Sequence, residues 1–567
     1  MTDIAAAPPA PVVRPRMARD DVVMRLGIAG MVVLLLVFVA LPLWWLLSKS
    51  FEDADGRFVG LANYVRYFST PALFESVENS FFVAALSTAI VLPLAFLYAY
   101  ALTRSKLPFK PVFQAAALVP ILAPSLLPAI SLIYLFGNQG IFKDLLFGGT
   151  IYGAGGIVVA QVFYCFPHVL MILVTALSMS DGRLYEAASA LGASRWRIFW
   201  TVTLPGARYG IISAAFVAFT LVLTDFGIAK VIGGRFNVLA TDVYKQVIGQ
   251  QNFQMGAVVG LVLLAPAALA FLVDAMVQRK QVALLSARAV PYEPRPRPAR
   301  DLPLLVYSIV MAALIVGVLG MAVWASFVQR WPYNLSLTFA NYDFDEFDPA
   351  GWEPVWTSLK MAAAAAAIGA VLIFTGAWLL EKSRGFHLMR WLARFLATLP
   401  LAVPGLVLGL GYVFFFIARE NPLNFLYATL GILVVNSVAH FYTVAHVTAV
   451  TALKQLDAEF ESVSASLKVP LTTTFVRVTA PICLPAILDI FVYLFANAMT
   501  TVSAVIFLYG PETKLAAVAV INMDEAGMTA AAAAMATVIV LVSLSIRLLH
   551  LLAERTLLAR LQRWRRR

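Results

Sequence analysis

The residues whose types and spacing point to a function lie in one short polar stretch, residues 186–205, with the sequence EAASALGASRWRIFWTVTLP. Its alanines favour a helix, Gly192 allows a sharp turn, and Pro205 cannot continue a helix interior. Arg195 lies beside Trp196, so one side of the stretch is cationic and the other can anchor in an interface or in a groove of a partner. These residue types suit docking, and no catalytic residue is assigned anywhere in the chain.

The polar stretch sits between two apolar runs that are each long enough to cross a bilayer, and such runs recur along the whole chain. Of 567 residues, 61% are hydrophobic and only 13% are charged, which is typical of a polytopic helical membrane protein. The formal charge of +11 would suggest nucleic-acid binding in a soluble protein. Here the basic residues concentrate in alternate loops, which indicates membrane orientation instead.

Cysteine and histidine content excludes two further classes of site. Cys165 and Cys483 lie in separate apolar runs, so a disulfide framework is excluded. His440 and His446 share one predicted span but are six residues apart, which places them on different faces of a helix. Without clustered histidines, the sequence predicts no metal site.

The apolar runs predict an all-α integral membrane protein with about twelve transmembrane helices in two parallel six-helix repeats. The predicted segments are a cytoplasmic tail at 1–26, a first repeat at 27–277 with its core at about 75–277, a linker at 278–301, a second repeat at 302–552 with its core at about 355–550, and a basic tail at 553–567. The positive charge of the tails and the linker puts all three, and both termini, on the cytoplasmic side.

Two pairs of sequences support the repeat. The stretch FVGLANYVRYF after the first span is echoed by LSLTFANYDF after the seventh. Pro120 and Pro124 of the third span are matched by Pro400 and Pro404 of the ninth. Prolines inside a span kink its helix, and they are tolerated there where neighbouring helices satisfy the freed carbonyl groups.

The polar stretch resembles the EAA motif of the permease subunits of binding-protein-dependent ABC importers, and the chain as a whole resembles their type-1 permease fold. The residues assigned to this coupling loop are Glu186, Ala187, Ala188, Gly192, Arg195, Leu204 and Pro205. The resemblance implies that the loop docks in a cleft of a separate cytoplasmic ATPase, expected as a dimer. It also implies a periplasmic substrate-binding protein as a second partner and a multi-pass location in the bacterial inner membrane.

No GxxxxGK[ST] phosphate-binding loop occurs in the chain, so it is not expected to hydrolyse ATP itself. ATP would be bound by the partner subunit, and the chain is expected to need no cofactor of its own. The chain is therefore interpreted as a permease and not as an enzyme.

A second polar loop, residues 461–481, occupies the equivalent place in the second repeat but departs from the motif. It begins with Glu461, contains Pro470 and ends with Pro481. Ser462 and Val463 would stand in place of the alanine pair, and the expected glycine is residue 467 or 468, depending on where a one-residue insertion is placed. We expect the first loop to make the tighter contact with the ATPase.

Asp225 and Lys230 are ionisable residues in or near the predicted fifth span, where charge is costly and commonly functional. One interpretation makes them residues of the substrate path near the outer end. The other, slightly favoured, makes Asp225 a helix-end carboxylate that pairs with Lys230 and is wetted by the outer loop. The second repeat has Thr500, Thr501 and Ser503 at this place.

The doubled architecture is similar to that of permeases for ferric iron, thiamine and 2-aminoethylphosphonate. Residues 224–260 and 461–470 most resemble the 2-aminoethylphosphonate permeases, which predicts that substrate, with ferric iron or thiamine as alternatives. An alternative of another class is a major-facilitator-like secondary transporter, also built from parallel halves. That class would need coupling charges buried in its spans and would not need a polar loop in each half.

Overall fold

The computed structural model describes residues 19–283, 290, 292–383, 385–457 and 459–558. Most of the predicted N-terminal tail, part of the linker and the end of the basic C-terminal tail lie outside the described residues. The described chain is predominantly helical, because a membrane-embedded backbone must satisfy its own hydrogen bonds.

The first half contains thirteen α-helices within the described residues. They are α1 (Arg19–Leu35), α2 (Leu41–Ser50), α3 (Ala62–Ser69), α4 (Pro71–Arg104), α5 (Lys110–Leu118), α6 (Leu126–Phe136), α7 (Ala154–Ser178), α8 (Gly182–Ala190), α9 (Arg195–Ile198), α10 (Leu204–Thr224), α11 (Gly227–Ile232), α12 (Leu239–Tyr244) and α13 (Phe253–Ala283). A π-helical turn, Phe199–Thr203, joins α9 to α10.

The described part of the second half contains twelve α-helices and one short hairpin. They are α14 (Pro298–Ser326), β1 (Val328–Arg330), β2 (Asn334–Leu337), α15 (Glu353–Lys382), α16 (His387–Thr398), α17 (Gly405–Ile417), α18 (Leu430–His440), α19 (Tyr442–Lys454), α20 (Glu459–Ser466), α21 (Leu471–Thr474), α22 (Ala480–Ile482), α23 (Leu484–Thr500), α24 (Ala516–Glu525) and α25 (Thr529–Ala553). The hairpin strands pair antiparallel, and a π-helical turn, Phe475–Thr479, joins α21 to α22.

Eight helices are long and apolar enough to cross a membrane, and four bent pairs bring the number of spans to as many as twelve. This confirms the predicted all-α fold with about twelve spans. The third and ninth spans bend by 103° and 115°. Pro120 and Pro400 lie in the 3-10 turn before each bend, because proline removes a backbone donor and cannot continue a straight α-helix.

The two halves repeat one another in detail. Asn63 Nδ2 donates to the carbonyl oxygens of Ser50 and Glu52. In the second half, Asn341 Nδ2 donates to the carbonyl oxygens of Ser326 and Val328. The asparagine of the ANY sequence shared by the two matching stretches therefore closes the same turn after the first span of each half.

The first spans of the two halves are exchanged. Helices α1 and α2 pack on α15, α16 and α17 of the second half, while α14 packs on α4, α5 and α6 of the first half. Tyr412 OH donates to the carbonyl oxygen of Phe38 at 2.6 Å, and Tyr307 OH donates to that of Leu94 at 2.7 Å. The halves are therefore interlocked through equivalent contacts in both directions.

Candidate functional site

The first polar loop is built as a capped helix, a turn and a second short helix. The Asp181 side chain, just before the loop, accepts from the Arg183 backbone N–H at 3.0 Å and so caps α8. The Arg183 guanidinium hydrogen-bonds the same carboxylate, which lowers the pKa of Asp181 to about 2. Gly192 adopts a positive φ of 72°, and Ser194 Oγ accepts from the Arg197 N–H at the start of α9.

The exposed surface of the first polar loop carries both apolar and charged side chains. Glu186 and Ala187 are exposed on α8, and Ala188 is half-buried. Leu191 is 86% exposed and Trp196 is 70% exposed, which is unusual for large apolar residues outside a lipid or partner surface. Arg195, Leu204 and Pro205 follow on α9 and α10, as the sequence order requires. The loop thus presents the mixed surface expected of a docking element.

The second loop repeats this geometry with no insertion. Lys468 has a positive φ of 56° and lies 276 residues after Gly192. The Val469 N–H donates to the Ser464 carbonyl, just as the Ala193 N–H donates to the Ala188 carbonyl. Lys468, and not Leu467, therefore takes the place of the glycine.

This register corrects the expected match of the two glutamates. Ser462 takes the place of Glu186, and Glu461 takes the place of Tyr185, one residue earlier. The alanine pair is replaced by Val463 and Ser464. The sequence alone favoured Glu461 because it is the obvious acidic residue at the start of the loop, and only the backbone turn fixes the alignment.

Pro470 and Pro481 occupy places in the second loop that match those of Ser194 and Pro205 in the first. Pro470 is the residue before α21, as Ser194 is before α9. Pro481 lies in the first turn of α22, as Pro205 lies in the first turn of α10. Pro205 and Pro481 have no N–H to donate, and a π-helical turn precedes each of them at this gap in the hydrogen bonding. The helix that begins at Arg195 therefore continues through Pro205 to Thr224 and does not start anew there.

In each half, a basic residue at the end of the second span contacts the polar loop and fixes its position. Arg104 is 3% exposed, and its Nη2 donates to the Leu177 carbonyl at 2.6 Å and to Ser180 Oγ at 2.8 Å. Its Nε donates to Tyr185 OH at 3.3 Å. In the second half, Lys382 ends α15 and forms an ion pair with Glu461. Glu461 is therefore an anchor of its loop.

The linker between the halves contacts the first loop. The Gly182 N–H donates to the Val290 carbonyl at 2.8 Å, and the rings of Tyr185 and Tyr292 lie 4.6 Å apart. The Arg104 guanidinium lies 4.8 Å from the centre of the Tyr292 ring, within the range of a cation–π interaction. The loop is therefore braced by the chain that enters the second half.

Asp225 and Lys230 do not pair with each other. Asp225 lies in an extended break between α10 and α11, where its Oδ2 accepts from Gln161 Nε2 at 3.0 Å and from the Ile228 N–H at 2.9 Å. Lys230 instead forms an ion pair with Glu525 of the second half. The helix-end interpretation of Asp225 is thus right about its position but wrong about its partner.

A polar cluster joins the two halves at the end of the bundle opposite the loops. We define the inter-half cluster as Lys230, Tyr244, Asp524 and Glu525. Lys230 Nζ lies 4.6 Å from the centre of the Tyr244 ring. Burial, followed by the neighbouring Glu525, raises the pKa of Asp524 to about 6. The sequence analysis missed both acidic residues, because they lie about 295 residues from Lys230 and carry no motif.

The second half also brings together three residues that the sequence did not connect. Ligand atoms of Asp489, His550 and Glu554 lie within 4.8 Å of one another. His550 is almost fully buried, and its Nε2 lies 3.4 Å from Asp489 Oδ1. The arrangement is that of an ion pair between α23 and α25 when the histidine is protonated.

Comparison with known proteins also divides the chain into two matching halves. A family model described as "Binding-protein-dependent transport system inner membrane component" matches residues 91–282 and 374–558. The ferric transport system permease protein FbpB of Actinobacillus pleuropneumoniae is 26% identical over 92% of this chain and 77% of its own length. Fe(3+)-transport system permease protein FbpB 2 of Haemophilus influenzae is 25% identical over 90% and 96%, respectively.

Other relatives match only part of the chain. The molybdenum transport system permease protein ModB of Escherichia coli is 32% identical over 27% of this chain and 69% of its own length. A solved bacterial ABC transporter involved in the import of alginate superposes with a TM-score of 0.39 at 15% identity, covering 47% of this chain and 97% of that chain.

Proposed function

Because the chain belongs to the family of binding-protein-dependent transport system inner membrane components, we propose that its two halves together form one translocation path. It is the permease subunit of an ATP-driven importer and not an enzyme, and ATP is hydrolysed by a separate subunit. The family matches both halves, which removes the alternative of a major-facilitator-like secondary transporter.

The observation that carries the proposed coupling mechanism is the pair of loops with one backbone geometry at one end of the bundle. Both loops have the same turn, at Gly192 and at Lys468, and both continue through a π-helical turn into a span. Two equivalent loops fit the two equivalent clefts of an ATPase dimer. Closure of that dimer would move both loops together and rock the spans between inward- and outward-open states.

Orientation follows from charge. Four basic residues lie at the same end as the polar loops: Lys106 between the second and third spans, Lys110 at the start of α5, Lys382 at the end of α15 and Arg390 in α16. From the positive-inside rule we propose that this end of the bundle and both termini lie in the cytoplasm. A periplasmic binding protein would then deliver substrate at the opposite end, where the inter-half cluster lies.

The proposed substrate is 2-aminoethylphosphonate. The inter-half cluster offers a cation, Lys230, from one half and two carboxyl groups, Asp524 and Glu525, from the other. The phosphonate of a zwitterionic substrate can bind the Lys230 ammonium, and the ammonium group of the substrate can bind the carboxylates. Such a substrate can therefore replace both partners of the ion pair. The resemblance of residues 224–260 to permeases of this substrate supports the same choice.

Ferric iron is the second candidate, since two relatives matching about nine-tenths of the chain bear names of ferric permeases. Carboxylate and phenol oxygens of Asp524, Glu525 and Tyr244 are hard ligands of the kind that suit such a cation. Lys230 disfavours the binding of ferric iron at this cluster, because a fixed positive charge repels a trivalent cation.

Uptake into proteoliposomes containing this chain, its ATPase and its binding protein would test the proposal. We expect ATP-dependent uptake of 2-aminoethylphosphonate that ferric iron and thiamine do not compete for. Uptake of iron or thiamine instead would overturn the substrate and leave the permease assignment in place. Uptake that persists without the ATPase would contradict the coupling mechanism.

The matched variants for this assay are Lys230→Met and Lys245→Met. Lys230 belongs to the inter-half cluster, whereas Lys245 is exposed on the same side and contacts Asn237. Loss of uptake in the first variant alone would support a role of the cluster in the path. Equal loss in both would show a general effect of surface charge.

A further inference from the structure

A groove of about 680 Å³ lies beside the first polar loop, between α4, α10 and α14. Its floor is aromatic, because Phe96 and Tyr100 both pack edge-on against Phe199, with ring centres 6.2 and 6.1 Å apart. Trp196 and Trp200 form one wall, with their ring centres 5.6 Å apart. These two indole rings are 70% and 50% exposed, so the groove opens on the outer surface of the bundle.

The groove has a long apolar part along α4. Leu92, Phe96 and Tyr100 line it at intervals of four residues, so they share one face of the helix. At 1.5 Å per residue, they extend about 12 Å along the helix axis. This length, in an open groove between membrane-spanning helices, suits a fatty-acyl chain.

Two arginines complete the lining of the groove, Arg195 from the first loop and Arg300 from α14. Within the described residues, the Arg195 guanidinium has no hydrogen bond or ion pair. Arg300 forms an ion pair with Asp301, whose Oδ1 lies 2.7 Å from Nη2 and 2.8 Å from Nε, and its Nη2 also donates to the Arg295 carbonyl at 2.8 Å. The charge of Arg300 is therefore balanced by Asp301, although its guanidinium still lines the groove. Arg195 therefore leaves one net positive charge at an otherwise apolar groove, and Arg300 adds a second guanidinium that can donate to a phosphate.

We propose that this groove binds one anionic phospholipid of the cytoplasmic leaflet, with its phosphate between Arg195 and Arg300 and one acyl chain along α4. The proposal rests on the proposed orientation, in which the first loop is cytoplasmic. Anionic lipids are concentrated in that leaflet, and tryptophan and arginine are the residues that anchor at its interface. The bound lipid would touch the first loop and the entering helix of the second half at once, and so would link loop position to lipid composition.

The second half provides an internal comparison. A groove of about 650 Å³ lies between α15 and α1, where α15 is the equivalent of α4 and α1 that of α14. Its lining contains no charged residue. Leu471 and Thr472 replace Arg195 and Trp196 at the equivalent places of the second loop. The charge complementarity to a phosphate is therefore confined to the first half.

The test is native mass spectrometry of the full chain purified in detergent, titrated with phosphatidylglycerol or phosphatidylcholine. We expect one phosphatidylglycerol to be retained preferentially over phosphatidylcholine. Arg195→Gln should weaken its retention about fivefold, as follows from the usual contribution of one basic residue near an anionic membrane surface. Leu97→Trp, which fills the groove and keeps both arginines, should also abolish preferential retention.

The control is Arg208→Gln, because Arg208 is an exposed arginine of α10 that lies outside the groove and stacks on Tyr209. Its retention of lipid should equal that of the wild type. Unchanged retention in Arg195→Gln and Leu97→Trp, or equal retention of the two lipids by the wild type, would overturn the proposal.

Two further measurements test whether the acyl chain is needed for binding and whether the first loop faces the cytoplasm. Glycerol phosphate carries the same head-group chemistry without acyl chains, so displacement of the lipid by glycerol phosphate alone would overturn the role of the apolar groove. Binding in detergent does not depend on orientation. Cysteine labelling of Ala190→Cys from the periplasmic side would contradict the orientation, and with it both the cytoplasmic leaflet and the docking of the first loop on the ATPase. Labelling from the cytoplasmic side, together with unchanged lipid retention in Arg195→Gln and Leu97→Trp, would overturn the lipid site alone.

Discussion

Glu461→Gln should loosen the second polar loop without removing a contact surface for the ATPase. The carboxylate forms an ion pair with Lys382, and the two side chains are 37% and 14% exposed, respectively. Exposed ion pairs contribute about 0.2–1 kcal/mol. Since one partner here is largely shielded from water, we expect a value of about 1 kcal/mol, which corresponds to about a fivefold change in a local opening equilibrium.

Hydrogen exchange of the α20 amides, measured by mass spectrometry of the purified full chain, reports that opening directly. Exchange in α20 should become about fivefold faster in Glu461→Gln and in Lys382→Met, and the double variant should be no faster than either single one. The control is Glu459→Gln, which removes an exposed carboxylate from the same helix turn.

The reasoning would be refuted if Glu461→Gln left exchange in α20 unchanged, or if Glu459→Gln accelerated it equally. Unchanged exchange together with a loss of ATPase stimulation would restore the original interpretation, in which Glu461 contacts the ATPase as Glu186 is expected to do. The assay therefore distinguishes an anchor from a docking residue at one position.

Three further predictions follow from the loops and the inter-half cluster. Glu186→Ala should reduce ATP-dependent uptake more than Glu461→Ala, because only Glu186 stands exposed in the motif position; equal losses would contradict the register. Lys468→Gly should raise the melting temperature by relieving a positive φ, a gain of about 0.5–1 kcal/mol, whereas Gly192→Val should lower it; the opposite order would show that the two turns are not equivalent. Folding raises the pKa of Asp524 from 3.8 to about 6, so its contribution to stability is full below pH 4 and is lost as the pH rises through 6. Asp524→Asn should therefore raise the melting temperature at pH 8 but not at pH 4, and equal shifts at both values would exclude this cause.

Much of the fold could be predicted because a membrane imposes its own length scale. Apolar runs of span length and the charge of alternate loops gave twelve spans in two halves, and the prolines at 120 and 400 marked bends that the structure shows. The angles could not be predicted, since the direction of a kink depends on the helices that pack against it. Asp225 and Lys230 were predicted to lie in or near the fifth span, whereas α10 ends at Thr224, because the backbone is extended at Asp225 and its carboxylate accepts from the Ile228 N–H at the start of α11.

Less of the candidate site than of the fold could be predicted from the sequence. The first loop could be recognised from its composition and spacing, but the second could not be aligned, because Lys468 fills a turn that glycine normally occupies. The partner of Lys230 was missed for a different reason. Glu525 reaches it across the interface of the halves, and neither residue has a local pattern that reveals a distant partner.

The exchange of first spans has a consequence for how the molecule is made. A ribosome completes the first half long before α14 exists, so the faces of α4, α5 and α6 that α14 covers must meet lipid until then. In the same interval, α2 can already pack on α13, but the faces of α1 and α2 that pack on α15, α16 and α17 have no partner yet. The native arrangement is thus reached only late in biogenesis, and joining both halves in one polypeptide ensures that each nascent first half receives its own complement in a one-to-one ratio.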